Sequence, residues 1–258
     1  MVADVAAPQP MTALVTGAGR GIGAAVAQML SAQGHRVALT ARSEEQLRAV
    51  AGALPGPSLV VAADITAAGA VDDVYTRVEA QFGPVQILVA NAGAATSAPV
   101  QRVTDEDWQR SLDLNLTTPF RCIRRAVPAM TRAGFGRIVV MASMASRVGE
   151  PYLSAYVAAK HGVLGLVRSA AAELARTGVT VNAVCPAYVD TPMTDGAVAT
   201  IVATTGMTGA EARQYLEHRQ PIGRLITTDE VVEAVRYCLA NAAVTGQGLN
   251  VDGGAIQS

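Results

Sequence analysis

The chain has 258 residues, half of them hydrophobic and 16% charged, with a formal net charge of −1. That length supplies the core of one large α/β domain or two small ones. The even charge balance excludes nucleic acid as an expected partner, and no run of about 18 apolar residues offers a membrane-spanning helix. The three cysteines, Cys122, Cys185 and Cys238, form neither a metal spacing nor a disulfide framework, so no metal is expected and a reducing cytoplasm is. Cys185 ends an apolar run and reads as a core thiol.

In chain order, residues 1–10 carry one acid and two prolines but no basic cluster, and read as a flexible lead rather than a signal peptide. Short β-branched runs then alternate with longer alanine-rich stretches of helical period. The expected strands are Thr12–Thr16, Arg36–Ala41, Ser58–Ala63, Val85–Ala90, Arg137–Ala142, Val179–Cys185 and Gly248–Val251. The expected helices are Gly21–Gln33, Ser43–Ala53, Ala67–Phe82, Asp105–Arg132, Ser154–Arg176 and Thr228–Ala240. Runs such as Val85–Ala90 are apolar on both faces, as in a parallel sheet covered by helices on each side. The alternation predicts a Rossmann-type doubly wound parallel sheet of about seven strands, in one domain over residues 11–258. A Thr-, Ala- and Gly-rich stretch at residues 190–224 is longer than a connection needs and reads as a substrate lid. Within it Ala210–His218 is expected to be helical, with Gly206 and Gly209 as hinges.

Directly after the first strand comes Thr16-Gly-Ala-Gly-Arg-Gly-Ile-Gly23. Gly17, Gly21 and Gly23 allow a tight turn and close approach to a ligand, and Arg20 and Ile22 lie within it. The following helix N-terminus offers free N–H groups to a pyrophosphate. The second strand ends Leu39-Thr-Ala-Arg42, without the carboxylate that holds a ribose 2′-hydroxyl. Arg20 and Arg42 instead suit a 2′-phosphate. The sequence therefore favours NADP(H) over NAD(H), although Glu44 and Glu45 temper the local field.

Lys160 is the only lysine, and it stands four residues after Tyr156. On a helix the two share a face, and an ammonium beside a phenol favours the phenolate. Together with Asp64, Asn91-Ala92-Gly93, Asn115, Ser143 (13 residues before Tyr156), Pro186 and Thr191, these motifs give the chain its resemblance to the short-chain dehydrogenase/reductase family, from Thr12 to Gly254. The resemblance implies a catalytic set of Asn115, Ser143, Tyr156 and Lys160. Tyr156 would exchange the proton, its pKa lowered by Lys160 and the oxidised nicotinamide together. Ser143 would hold the substrate oxygen, and Asn115 would order a water beside Lys160. Asp64 and Ile65 would contact the adenine. Asn91, Ala92 and Gly93 would border the adenosine half, and Pro186, Ala187, Val189 and Thr191 the nicotinamide.

Two positions depart from the family pattern. Ala187 stands where glycine usually follows Pro186, and Ala90 stands where an Asn usually precedes Asn91. The segments Glu173–Pro186 and Pro221-Ile-Gly-Arg224 resemble reductases of 3-oxoacyl thioesters and polyketides. This implies a ketone or secondary-alcohol substrate, an acyl-CoA or acyl carrier protein as partner, and a homotetramer built on the helices Asp105–Arg132 and Ser154–Arg176. Expected pocket residues are Ala94, Ala95, Met144, Ala145, Leu153, Tyr188 and Met193, and Arg213 and Arg219 on the lid could meet carrier phosphates. The alternatives are a dehydrogenase of a simple secondary alcohol, sugar or steroid, and a non-catalytic NADP(H)-sensing module.

Overall fold

The computed structural model describes residues 10–257, so the expected N-terminal lead lies outside the described residues apart from Pro10. The strands are β1 (Thr12–Thr16), β2 (Arg36–Ala41), β3 (Ser58–Ala62), β4 (Ile87–Ala90), β5 (Gly136–Met141), β6 (Val179–Pro186) and β7 (Gly248–Val251). They pair in the order β3-β2-β1-β4-β5-β6-β7, every pair parallel. Helices α1 (Gly21–Ala32), α2 (Glu44–Gly52) and α9 (Thr228–Ala240) cover one face. Helices α3 (Ala70–Phe82), α5 (Thr118–Ala133) and α6 (Ser154–Leu174) cover the other. In β1, Ala13 and Val15 join the first core and Leu14 the second, the period-2 alternation of a strand buried on both sides. The doubly wound parallel sheet of seven strands is as expected.

The expected single helix at 105–132 is instead α4 (Asp105–Leu112), a π-helical turn at Asp113–Thr117, and then α5. Pro119 has no N–H to give the Asn115 carbonyl four residues back, which loosens the ladder at that turn. The Thr118 hydroxyl donates to the Asp113 carbonyl at 2.8 Å. Other boundaries shift by a few residues, the largest at α3, which begins at Ala70 after a left-handed Gly69.

The 190–224 stretch holds two helices rather than one, α7 (Pro192–Thr205) and α8 (Gly209–His218). The first is hidden in the sequence because Thr and Val are poor helix formers. Its threonines compensate by bonding back to carbonyls one turn earlier, Thr200 to Gly196 and Thr205 to Ile201. Gly206, left-handed at φ 75°, ends α7, and Thr208 and Glu211 start α8 with a reciprocal capping box.

Candidate active site

The order of the sheet reverses between β1 and β4, and ligands of such sheets bind outside the C-terminal strand ends at that point. There the Thr16 hydroxyl accepts from the backbone N–H groups of Asn91 and Ala92 at 3.0 and 2.9 Å. The Asn91 amide donates back to the carbonyls of Thr16 and Gly17 at 3.0 and 3.1 Å. Asn91 thus fastens the glycine turn to β4 through its amide hydrogens.

Gly17 and Gly21 are left-handed, and a Cβ on Gly23 would collide with the Gly17 carbonyl oxygen and lie 2.6 Å from the Asn91 amide nitrogen. Helix α1 begins with neither a side-chain cap nor an acidic residue in its first turn. Its N–H groups are left for an anion, so this cradle fits a dinucleotide pyrophosphate. Arg20 and Arg42 are exposed beside it. Asp64, also exposed, accepts from the backbone and hydroxyl of Thr66, and this bonding, helped by Arg42, lowers its pKa. Ile65, expected at the adenine, buries its side chain in the core.

Asn115 is fully buried in the π turn. Its amide donates to the carbonyls of Ala94 (2.9 Å) and Ser111 (3.1 Å), and its oxygen accepts from Ala94 N–H at 3.3 Å. The Asn115 Oδ1 and the Lys160 Nζ converge on Gly93, where an added Cβ would lie 3.0 and 3.6 Å from them. Lys160 Nζ, buried on α6, donates to the Met141 carbonyl at the end of β5 at 2.7 Å and stands 5.5 Å from the Tyr156 ring centroid. Ser143, just past β5, accepts from Ala145 N–H at 3.2 Å and lies within hydrogen-bonding reach of the Tyr156 phenol. The four residues implied by the resemblance therefore gather around one point.

Burial shapes the electrostatics of the site. Burial raises the pKa of Tyr156 above its ordinary value of 10, and only the Ser143 hydrogen bond works against it. Burial also pushes Lys160 down to about 8. Lys160 spends its shortest hydrogen bond on Met141 and, unaided, does not acidify the phenol; desolvation outweighs a charge aimed elsewhere.

Beyond β6, Ala187 donates to the Val251 carbonyl at 3.1 Å and its φ is not positive, so alanine replaces the usual glycine without strain. Val189 is buried and pairs with Ile226. Thr191 caps nothing with its side chain but packs against Gly21, bringing the start of α7 onto the glycine turn. Of the expected pocket residues, Ala94, Ala95 and Met193 are exposed and Leu153 and Tyr188 half-buried. Met144 and Ala145 are buried, and Ala145 acts through its backbone on Ser143. Sequence reasoning missed Glu150, which the fold brings to Arg219 beside Tyr188; Tyr152 is the one non-glycine residue of positive φ (66°) among those described. No spacing rule joins residues 69 positions apart, so no sequence signal pointed to the Glu150 contact. Among the described residues no cluster could hold a metal and no helix is long and apolar enough to cross a membrane.

A family model described as short chain dehydrogenase matches residues 11–202, and the chain belongs to that family. It is an oxidoreductase, which displaces the sensing-module alternative. The chain is 36% identical to D-beta-hydroxybutyrate dehydrogenase of Rhizobium meliloti (strain 1021), over 94% of this chain and 97% of the relative. It is 37% identical to the 3-oxoacyl-[acyl-carrier-protein] reductase MabA of Mycobacterium bovis (strain ATCC BAA-935 / AF2122/97), over 93% and 91%. Among solved structures, a variant of actinorhodin polyketide ketoreductase with NADPH superposes with a TM-score of 0.90 at 37% identity, covering 95% of this chain and 97% of that one.

Gly23→Ala should remove nucleotide binding while leaving a folded chain, because the added methyl drives the turn out of the cradle. Fluorescence titration with NADPH beside circular dichroism checks this, and unchanged affinity would refute the role given to the turn.

Proposed function

We propose that this chain is an NADP(H)-dependent ketone reductase whose substrates are 3-oxoacyl thioesters, on coenzyme A or an acyl carrier protein, or related polyketide ketones. The observation that carries this reading is the gathering of Ser143, Tyr156, Lys160 and Asn115 beside the glycine cradle, with Ser143 in reach of the Tyr156 phenol that gives the proton in reduction. The nicotinamide, when bound, supplies the hydride. Ser143 holds the carbonyl oxygen against Tyr156, and the phenol protonates that oxygen as negative charge develops on it. Lys160 keeps N–H groups beyond its bond to Met141 for the ribose hydroxyls. Asn115, fixed beside it by the Ala94 and Ser111 carbonyls, orders the water that resupplies the proton. The substrate class is supported by the names of the two reductases among the similar proteins.

Tyr156→Phe should lower kcat in reduction by about 10²–10⁴-fold, the usual worth of a positioned proton donor. The pH profile has a definite sign. Tyr156 stays protonated past its ordinary pKa, whereas Lys160 loses its charge as pH rises through about 8. Reduction should therefore decline above about 8, long before the phenol ionises. A parental rate in Tyr156→Phe would remove this reading.

The preference for NADP(H) is supported by Arg20 and Arg42, which flank the cradle without an ion pair within 4 Å among the described residues, while Glu44 is taken by Arg48 at 2.6 Å. The double variant Arg20→Ala/Arg42→Ala should raise KM for NADPH about tenfold or more and leave NADH nearly unaffected, as expected from losing charge-assisted bonds to one phosphate. Steady-state kinetics with both nucleotides decides.

A homotetramer is part of the same proposal. Trp108 on α4 and Phe120 on α5 are 40% and 42% exposed, large apolar side chains turned outward on the helices expected to pair. Size-exclusion chromatography with light scattering should give about four times the 26.5 kDa chain mass; a monomer would exclude it.

A further inference from the structure

The roles above leave unused an ion pair between the loop after β5 and the end of the lid. Glu150, in the loop between β5 and α6, has a side chain only 5% exposed. Arg219, just past α8, meets it with both terminal nitrogens, Nη1 to Oε2 at 2.9 Å and Nη2 to Oε1 at 3.2 Å. Nη1 also donates to the Tyr188 hydroxyl at 3.1 Å, and the guanidinium carbon stands 5.7 Å from the Tyr188 ring centroid. Tyr188 in turn is near enough to Tyr156 to be influenced by it. One aromatic side chain therefore separates this guanidinium from the proton donor.

The second lid arginine is neutralised as well. Arg213 meets Asp190 at 2.9 Å, Glu217 at 3.4 Å and Asp195 at 3.8 Å. With Arg224 held by Glu230 at 2.6 Å, none of the three lid arginines is free for a carrier phosphate or for a substrate carboxylate. A nearly buried carboxylate such as Glu150 is costly unless paired, so the contact with Arg219 persists only as a unit. The scaffold itself does not choose between acid and thioester, since one similar protein is named for a hydroxy acid and another for an acyl-carrier-protein substrate.

We propose that Glu150 is a specificity-determining residue: by holding Arg219 in a neutral bidentate pair against Tyr188, it denies the pocket a free cation and selects neutral 3-oxoacyl thioesters over free 3-oxo acids. This rests on the ketoreductase reading. Removing the carboxylate frees a guanidinium whose charge attracts an acid and is indifferent to a thioester.

Acetoacetate and its N-acetylcysteamine thioester carry the same reacting carbonyl and differ in the charge next to it. Both are to be reduced, with NADPH and with NADH, by the parent, Glu150→Gln and Glu150→Gln/Arg219→Gln. In Glu150→Gln the ratio of kcat/KM for acid over thioester should rise about tenfold, through KM, the size of effect that a unit charge about 10 Å away gives at an effective dielectric of roughly 20. In the double variant the gain should vanish. Glu150→Ala frees the same guanidinium by truncation and must move the ratio in the same direction, so one folded single variant suffices. A ratio that stays within about twofold of the parent in the single variants, or a gain that survives in the double variant, would overturn the proposal. A parent that reduces neither compound yet turns over another ketone or alcohol would sink the ketoreductase reading beneath it.

Discussion

The four hydrogen bonds between Thr16–Gly17 and Asn91–Ala92 hold the ends of β1 and β4 at a fixed separation, and the geometry of the site follows from that. Each contributes about 0.5–1.5 kcal/mol net, but removing one partner strands a polar group and costs more than the bond itself. Their common effect is to press the glycine turn against Ala92 so closely that a Cβ at Gly17 would lie 2.9 Å from the Ala92 Cα. From this join the chain leads to Gly93, and Gly93 is the surface on which Asn115 and Lys160 meet. A cradle for phosphates and a floor for the proton relay are thus two sides of one loop.

Burial then sets the proton chemistry. The π turn brings the Asn115 amide inward and satisfies it on protein carbonyls, so it can hold a fixed orientation without solvent. The same dryness raises Tyr156 and lowers Lys160. Both shifts favour uncharged forms, which is the signature of desolvation rather than of mutual attraction. An ammonium–phenolate pair would need a further positive charge at the phenol, and the protein alone does not provide one.

Much of this was legible in the sequence. Period and composition gave the class of a doubly wound sheet because each buried strand is apolar on both faces, and the Tyr156–Lys160 spacing placed both on one helix face. Three features were not legible, each for a physical reason. The helix α7 is built from threonines whose propensity argues against it, and its side-chain bonds to carbonyls appear only once the helix exists. The break at Asp113–Thr117 lies in a stretch whose periodicity continues through it, with Pro119 the sole hint. The Glu150–Arg219 pair depends on the lid folding back over a loop 69 residues earlier, a tertiary fact no local rule contains.

The single lysine among nineteen arginines has its explanation in the same burial. Among the described residues, Lys or Arg is buried at two places, Arg137 and Lys160. Arg137 spreads its fork over three carbonyls, those of Leu239, Gly136 and Gly178, and stacks on Phe135. Such a planar group needs acceptors on several sides and cannot shed its charge. At position 160 the only carbonyl it bonds is Met141, and Gly93 limits the room. A compact ammonium fits there with donors to spare, and it can yield its proton when burial demands it, which a guanidinium cannot. Lysine is kept where the site needs a cation that is small, dry and able to titrate.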